Sequence, residues 1–274
     1  MVKSWTEKQN SKAAFRLLLK IGGRAFNDKS GFAELARAVR NLKAEVILVH
    51  GGGAEISQAL QNAGRGTTFI DGVRVTDRED VEIVERVLSE EINGRIAAWL
   101  EENGVACRRF SGKTFGLMIA EKTLRNGRDI GYVGEIVAVH PQPIFEALQA
   151  GLLPVVSPIS ATAEGVTLNV NADTAAAALA VGAACTDLVY FSDVSGVMNG
   201  SGRVLSDLSV QQAKELIAKG DITGGMVAKL ESIFSALARG LKRVHITRWQ
   251  GEETLEKLLF GGELEKTTLY EQRK

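Results

Sequence analysis

Two lysines in this chain stand beside paired glycines, a combination suited to handling anions. Lys20 closes the apolar run LLLKI just before Gly22-Gly23, and Lys229 follows Gly224-Gly225 in GGMVAK. Between them, VILVHGGG carries three consecutive glycines, Gly51, Gly52 and Gly53, ahead of a helical pattern. Each glycine costs roughly 1 kcal/mol of backbone stability relative to alanine. Bare amides at a helix start, where the dipole is positive, can offset that loss by seating an anion. A tight strand-to-helix turn is the plainer explanation and needs only one or two glycines. Lysine is a flexible point charge that suits phosphate, although a lysine near a strand end also commonly snorkels to the surface. Lys229 is predicted in the first turn of the helix after Gly224-Gly225, where a cation opposes the helix dipole, a small penalty that an anionic ligand would reverse.

A further segment, LNVNADTAAAAL, alternates Asn169 and Asn171 along an extended stretch and adds Asp173 at the same parity where an alanine-rich helix begins. A helix start needs one cap, and three polar residues are predicted on one face. Other phosphate loops fail on spacing. Gly112-Lys113-Thr114 has Cys107 where a Walker A loop needs its first glycine, and no G-x-G-x-x-G follows the VILVH strand. The three histidines are scattered, so no metal site is expected. His50 is read as a strand-end packing or hydrogen-bonding residue.

The elements that must position these residues alternate between short apolar runs and helical patterns, the signature of an α/β protein with a largely parallel sheet. Central strands are predicted at 16–21, 45–50, 153–157, 188–191 and 244–247. Phe32, Leu35, Val39 and Leu42, and likewise Val81, Val84, Leu88 and Ile92, recur at helical spacing. Capping boxes are predicted at Thr76–Glu79 and Ser209–Gln212, with helix ends at Gly104 and Gly240. Residues 106–139 read as antiparallel hairpin material, and 193–204 as a second excursion. The expected architecture is a three-layer αβα sandwich with two lobes, 1–182 and 183–274, and peripheral β-hairpins. No linker separates them.

Composition excludes several function classes. Thirty-three basic and 33 acidic side chains cancel, so neither a nucleic-acid nor a membrane partner is expected. The polar N-terminus lacks an apolar signal core, which predicts a cytoplasmic protein. Cys107 and Cys185 lie in apolar surroundings and read as buried reduced thiols.

In order, KIGG, VHGGG, GVRVTD, NVNADTAA, SDVSG and GGMVAK resemble the amino acid kinase family over about residues 17–262. Within it, GVRVTD and NVNAD are similar to the branch acting on N-acetyl-L-glutamate rather than on aspartate, glutamate, carbamate or uridylate. The resemblance implies ATP-dependent phosphorylation of that substrate's side-chain carboxylate, the second step of arginine biosynthesis, with Mg²⁺ held mainly by the nucleotide phosphates. It implies that Lys20 and Lys229 stabilise the phosphoryl group in transit and that Asp173 holds both lysines. Gly22, Gly23, Gly51, Gly52 and Gly53 would offer amides to phosphate or substrate, and Arg74 and Asn169 would bind the amino-acid substrate. Asp193 would lie near the ribose, with the Gly224-Gly225 turn near the phosphates.

The segment FSGKTFGLMIAEKT lacks the family's usual Asp-Gly, and the turn AGRGTTFI is unusual. N-succinylglutamate or an aminoadipate derivative therefore stays open as substrate, as does a non-catalytic amino-acid sensor. A dinucleotide-dependent oxidoreductase is the other α/β alternative, disfavoured by the missing fingerprint. Compared with arginine-inhibited relatives, the short N-terminal segment and the LEKTTLYEQRK ending predict weak or absent arginine feedback and a homodimer.

Overall fold

The computed structural model describes residues 15–22, 26 and 28–271. The short polar N-terminus and Gly23 lie outside the described residues. The N-terminal half runs β1 (Arg16–Ile21), α1 (Lys29–Asn41), β2 (Glu45–His50), α2 (Gly53–Asn62), β3 (Phe69–Ile70), β4 (Val73–Arg74) and α3 (Arg78–Glu85). A π-helical stretch (Arg86–Ile92) leads into α4 (Asn93–Glu102), followed by β5 (Cys107–Ser111), β6 (Met118–Arg125), β7 (Arg128–Val139) and α5 (Gln142–Gln149). Next come β8 (Leu153–Ser157), β9 (Ser160–Ala161), β10 (Thr167–Val170), α6 (Ala172–Gly182) and β11 (Asp187–Phe191). The chain closes with β12 (Asp207–Ser209), α7 (Val210–Ala218), α8 (Gly225–Ala238), β13 (Arg243–Thr247), α9 (Thr254–Phe260) and β14 (Lys266–Tyr270).

Eight strands form one sheet in the order β12-β14-β13-β11-β1-β2-β8-β5. Every neighbouring pair is parallel except β13 with β14. The central strands read as near-continuous apolar runs because helices cover both faces. One face packs Leu18, Val49 and Tyr190 against α6 and α8. The other packs Leu17, Leu19, Leu48 and Val189 against α1, the π-helical stretch and α4. This is the expected three-layer sandwich. Among the described residues no helix is long and apolar enough to cross a membrane.

From β1 the chain builds rightward to β2, and from β11 leftward to β13, so the topology reverses beside β1. Ligands of open α/β sheets bind outside the carboxyl ends of the strands at such a switch point. Lys20 and His50 lie at those ends. Lys20 shares parity with Leu18 and faces α6 and α8, while His50 shares parity with Leu48 and faces the opposite helical layer.

Three expectations need correction. Residues 107–111 are not hairpin material. They form β5, the edge strand of the main sheet, parallel to β8. Only Phe110 of CRRFS is buried, and an edge strand with so much polar exposure looks like a peripheral ribbon in sequence. The hairpin proper is β6–β7, which closes a small four-stranded barrel with β9 and β10. The cap of α3 is Asp77, not Thr76: its carboxylate accepts from the amides of Glu79 and Asp80. The Thr76 hydroxyl instead donates to the Arg74 carbonyl. Lys229 falls in the second turn of α8, which begins at Gly225, so its charge opposes the dipole less than first-turn placement would. By contrast, the Ser209–Gln212 capping box forms as read, and Gly104 and Gly240 follow helix ends with φ of +79° and +101°. Cys185 is buried and Cys107 half-buried, both as free thiols.

Candidate active site

Strand β1 delivers Lys20 between Val49 of β2 and Tyr190 of β11. Its side chain is only 10 % exposed, and its ammonium lies 2.7 Å from Asp173 Oδ1. Lys229, from α8, donates to Asp173 Oδ2 at 2.5 Å. One carboxylate thus holds two ammonium groups from different elements.

Asp173 occupies the first turn of α6, where the dipole favours an anion. Asn171 is the cap, accepting from the amides of Asp173 and Thr174, so of the three same-face polar residues this one has the structural role. Burial alone would raise the Asp173 carboxyl, but Lys20 and Lys229 outweigh it and hold the group at about 2. Burial lowers Lys229 from its ordinary range, Asp173 opposes that, and Lys20 adds to it. Tyr190 completes the arrangement. Its hydroxyl donates to the Asp173 carbonyl at 2.9 Å, and the Lys229 ammonium lies 4.6 Å from its ring centre.

Lys20 and Asp173 face a cleft of about 220 Å³ that Gly22, Gly51–Gly53, Arg74 and Asn169 also line, while Lys229 reaches it only through Asp173. The three glycines end β2 and begin α2. Among the described residues, the amides of Gly52 and Gly53 have no acceptor, leaving donors at a helix N-terminus. Gly52 also has a packing reason. A Cβ there would stand 2.2 Å from Ile92 Cδ1 and 2.9 Å from Leu88 Cδ2, whereas one at Gly53 would meet nothing within 4 Å.

Arg74 approaches from β4. It donates to the Gly53 carbonyl and the Ser57 hydroxyl, both at 2.9 Å, and to the Thr67 hydroxyl at 3.2 Å, with Phe69 stacked on its guanidinium. Burial lowers its pKa from the ordinary value, with Asp80 opposing. Among the described residues no carboxylate pairs with it within 4 Å, so a buried guanidinium faces the cleft ready for an anion. Asn169 donates to the Thr76 hydroxyl at 3.0 Å.

Not every expected residue joins this cleft. Asp193 lines a second cavity of about 620 Å³ on the far side of the glycine turn, together with His50 and Arg95. Gly224, Gly225 and Lys229 line neither cavity, Lys229 being joined to the cleft by its contact with Asp173. Gly224, at φ +61°, caps α8 and sets its entry angle. Sequence reasoning missed Tyr190 and Thr76. Tyr190 carried no signal in an apolar strand, and Thr76 stood inside GVRVTD but was read as a cap. The unusual turn is fastened by Arg65, which pairs with Asp77, Glu79 and Asp80. Lys113 is tied to Glu85 at 2.7 Å and Thr167 at 2.8 Å.

Two ammonium groups on one carboxylate, free amides and a spare guanidinium around one cleft suit transfer of a phosphoryl group to an anionic acceptor. Comparison with known proteins agrees. The model of the amino acid kinase family matches residues 15–248. The chain belongs to the amino acid kinase family. Among members of that family, it is 38 % identical to an acetylglutamate kinase of Cereibacter sphaeroides over 234 residues, 84 % of this chain and 79 % of that one. It is 38 % identical to an acetylglutamate kinase of Chloroflexus aurantiacus over 235 residues, 85 % and 92 % of the two chains. In three dimensions it resembles smu.665 of Streptococcus mutans UA159, with a TM-score of 0.76 and 27 % identity over 94 % of this chain and 99 % of the other. This amino acid kinase chain thus keeps the family fold over nearly its whole described length.

Proposed function

We propose that the chain is an acetylglutamate kinase, transferring the γ-phosphoryl of ATP to the side-chain carboxylate of N-acetyl-L-glutamate in arginine biosynthesis. The observation that carries this reading is the Lys20–Asp173–Lys229 cluster, whose Lys20 and Asp173 line the same cleft as Arg74. A side-chain carboxyl with an ordinary pKa near 4.3 is ionised at pH 7, so the acceptor needs no general base. The barrier is repulsion between anions, and positioning with positive charge lowers it. Lys20 and Lys229 serve the transferring group, with Asp173 keeping them apart from one another and oriented. The amides of Gly52 and Gly53 donate to its oxygens, as Gly22 and Gly51 in the adjoining turns allow close approach. Arg74 and Asn169 take the acid substrate. Mg²⁺ would be held mainly by the nucleotide phosphates and would supply further positive charge to the transfer. The amino-acid site belongs to 1–182 and the nucleotide site to 183–274, with Asp193 on the ribose and Gly224-Gly225 beside the phosphates.

The protein works in the cytoplasm as a homodimer. Among the described residues, β5 pairs on one side only, and an open strand edge invites a second copy; light scattering on the purified chain tests this. The activity itself is tested by trapping acyl phosphate as hydroxamate with ATP and Mg²⁺. The expected outcome is turnover of N-acetyl-L-glutamate well above N-succinyl-L-glutamate, N-acetyl-aminoadipate and L-aspartate, abolished by Lys229→Ala. Turnover of none of the four acids would overturn the assignment.

A further inference from the structure

We propose that His50 is a positioning residue for the phosphoryl-transfer site, setting the orientation of the Gly51–Gly52 peptide through one hydrogen bond and having its own tautomer set by Asn93. This rests on the kinase reading above.

His50 is 1 % exposed and faces the helical layer opposite Lys20. Its Nδ1 lies 2.9 Å from the Gly51 carbonyl oxygen, and its Nε2 lies 3.1 Å from Asn93 Nδ2. The Asn93 amide also reaches the carbonyls of Val155 at 3.0 Å and Phe110 at 3.3 Å, while its oxygen accepts from Arg109 Nε at 3.0 Å. With its oxygen engaged by a guanidinium and its nitrogen by carbonyls, the Asn93 amide has one orientation. It therefore presents N–H to His50, Nε2 must accept, and the proton resides on Nδ1. Nδ1–H then donates to the Gly51 carbonyl.

A trans peptide points its C=O and N–H in opposite directions. Holding the Gly51 carbonyl toward the imidazole aims the Gly52 N–H away from it. His50 lines the cavity on one side of the glycine turn, and Lys20 and Asp173 line the cleft on the other. The Gly52 amide is thereby aimed at the cleft that Lys20 and Asp173 line.

The backing of this device is the π-helical stretch 86–92, a rare geometry frequent at functional sites. Its Ile92 and Leu88 are the groups a Cβ at residue 52 would strike, and Asn93 follows directly. Ser89 adds a 2.7 Å hydroxyl contact to Ser157 of β8. The wider π turn brings Asn93 and Ile92 together under the glycine turn.

Two substitutions separate the two bonds. In His50→Asn, the side-chain amide places an N–H near the Nδ1 position and loses the Asn93 acceptor. In His50→Gln, the acceptor for Asn93 is kept and the donor to Gly51 is lost. We expect His50→Asn to keep kcat within about fivefold and His50→Gln to lose it by about 10²-fold, in the range of removing one oxyanion donor. The KM for N-acetyl-L-glutamate should change little in either. A packing role predicts equal losses in both, tracking thermal stability, and that result would overturn the proposal.

A measurement on the unmodified enzyme does not depend on variant folding. In ¹⁵N-histidine-labelled protein, His50 should show a protonated Nδ1 and an unprotonated Nε2 from pH 6 to pH 8. Protonated Nε2 would overturn the proposal. Because that spectrum needs no turnover, it stands or falls separately from the identity of the phosphorylated acid.

Discussion

The substitution Gly22→Ala tests how tightly the lysine cluster is positioned, because here an added methyl acts on catalysis rather than on folding. A Cβ at residue 22 would lie 2.1 Å from Lys20 Nζ and 3.2 Å from its Cε, with no backbone atom of another residue in the way. The backbone of Gly22 is not in the left-handed region, so alanine meets no conformational strain. The ammonium is the end of a flexible chain and will retreat. To restore an ordinary contact of about 3.4 Å it must move by roughly 1.3 Å. If that takes it from 2.7 Å to about 4 Å from Asp173 Oδ1, the attraction at an effective dielectric of 20 falls from about 6 to about 4 kcal/mol. The same retreat takes the ammonium from the transferring oxygens, where a contact weakened by a similar ~2 kcal/mol in the transition state is a factor of roughly 30 in kcat, and a misplacement near 1 Å costs up to 10² in well-positioned sites. The hydroxamate assay at saturating ATP and N-acetyl-L-glutamate should therefore show kcat reduced 30- to 100-fold. The melting temperature should fall by no more than about 4 °C, because the retreating ammonium regains water as it leaves Asp173 and the net cost to folding stays at ~1 kcal/mol. A kcat within twofold of the parent would refute the reasoning, as would a loss matched by a proportional loss of folded protein.

Asp173→Asn leaves two buried ammonium groups facing one another without their shared counter-ion, and since burial already lowers Lys229, losing the carboxylate lowers it further. A contact worth about 4 kcal/mol at 4 Å predicts a fall in kcat of about 10³, partly recovered at pH 6 relative to pH 8; a flat pH profile counts against it. Arg74→Lys keeps the charge and loses the planar fork, so the KM for N-acetyl-L-glutamate should rise 10- to 100-fold with the KM for ATP unchanged in initial-rate measurements. Gly131, at φ +80°, would place a Cβ 2.2 Å from the Thr76 carbonyl oxygen, so Gly131→Ala should cost at least about 2 kcal/mol and lower the melting temperature by about 5 °C. Burial, aided by Lys20, Arg95 and Arg109 and opposed by the Gly51 carbonyl, lowers His50 to about 4. With the folded value below the unfolded one near 6.5, its contribution is complete above pH 6.5 and lost as pH falls through 4. Urea titrations should show roughly 3 kcal/mol of stability lost over that window, and His50→Gln should remove that share.

Much of this protein is legible along the chain because the information is local. The parallel strands are apolar runs, since a strand covered on both faces has no polar side. The helices carry stripes at their own period. Lys20, Gly51–Gly53, Asp173 and Lys229 stand at the ends of such elements, where an element boundary and a charged residue can be read together. Gly224 announces a turn for the same reason, because φ is a property of one residue. The family resemblance then adds Arg74, whose own short strand says little, and gives a role to Asn169, which its parity with Asn171 had only singled out.

Other features exist only because distant segments meet. Arg16 to Ile21 could have paired with any apolar run, and only the sheet order places Lys20 across from Tyr190 and brings α6 and α8 over it. The strand 107–111 reads as a peripheral ribbon, because its place at the sheet edge beside β8 is set by packing across more than forty residues. Gly52 looks like a ligand-binding glycine, and the close approach of Ile92 and Leu88 gives it a second constraint that no local pattern contains. The proton on His50 is decided by Asn93, whose amide is held in turn by Arg109 and by two strand carbonyls. Periodicity and capping are written in neighbouring residues, whereas electrostatic coupling and hydrogen-bond direction depend on which groups the fold brings within 3 Å.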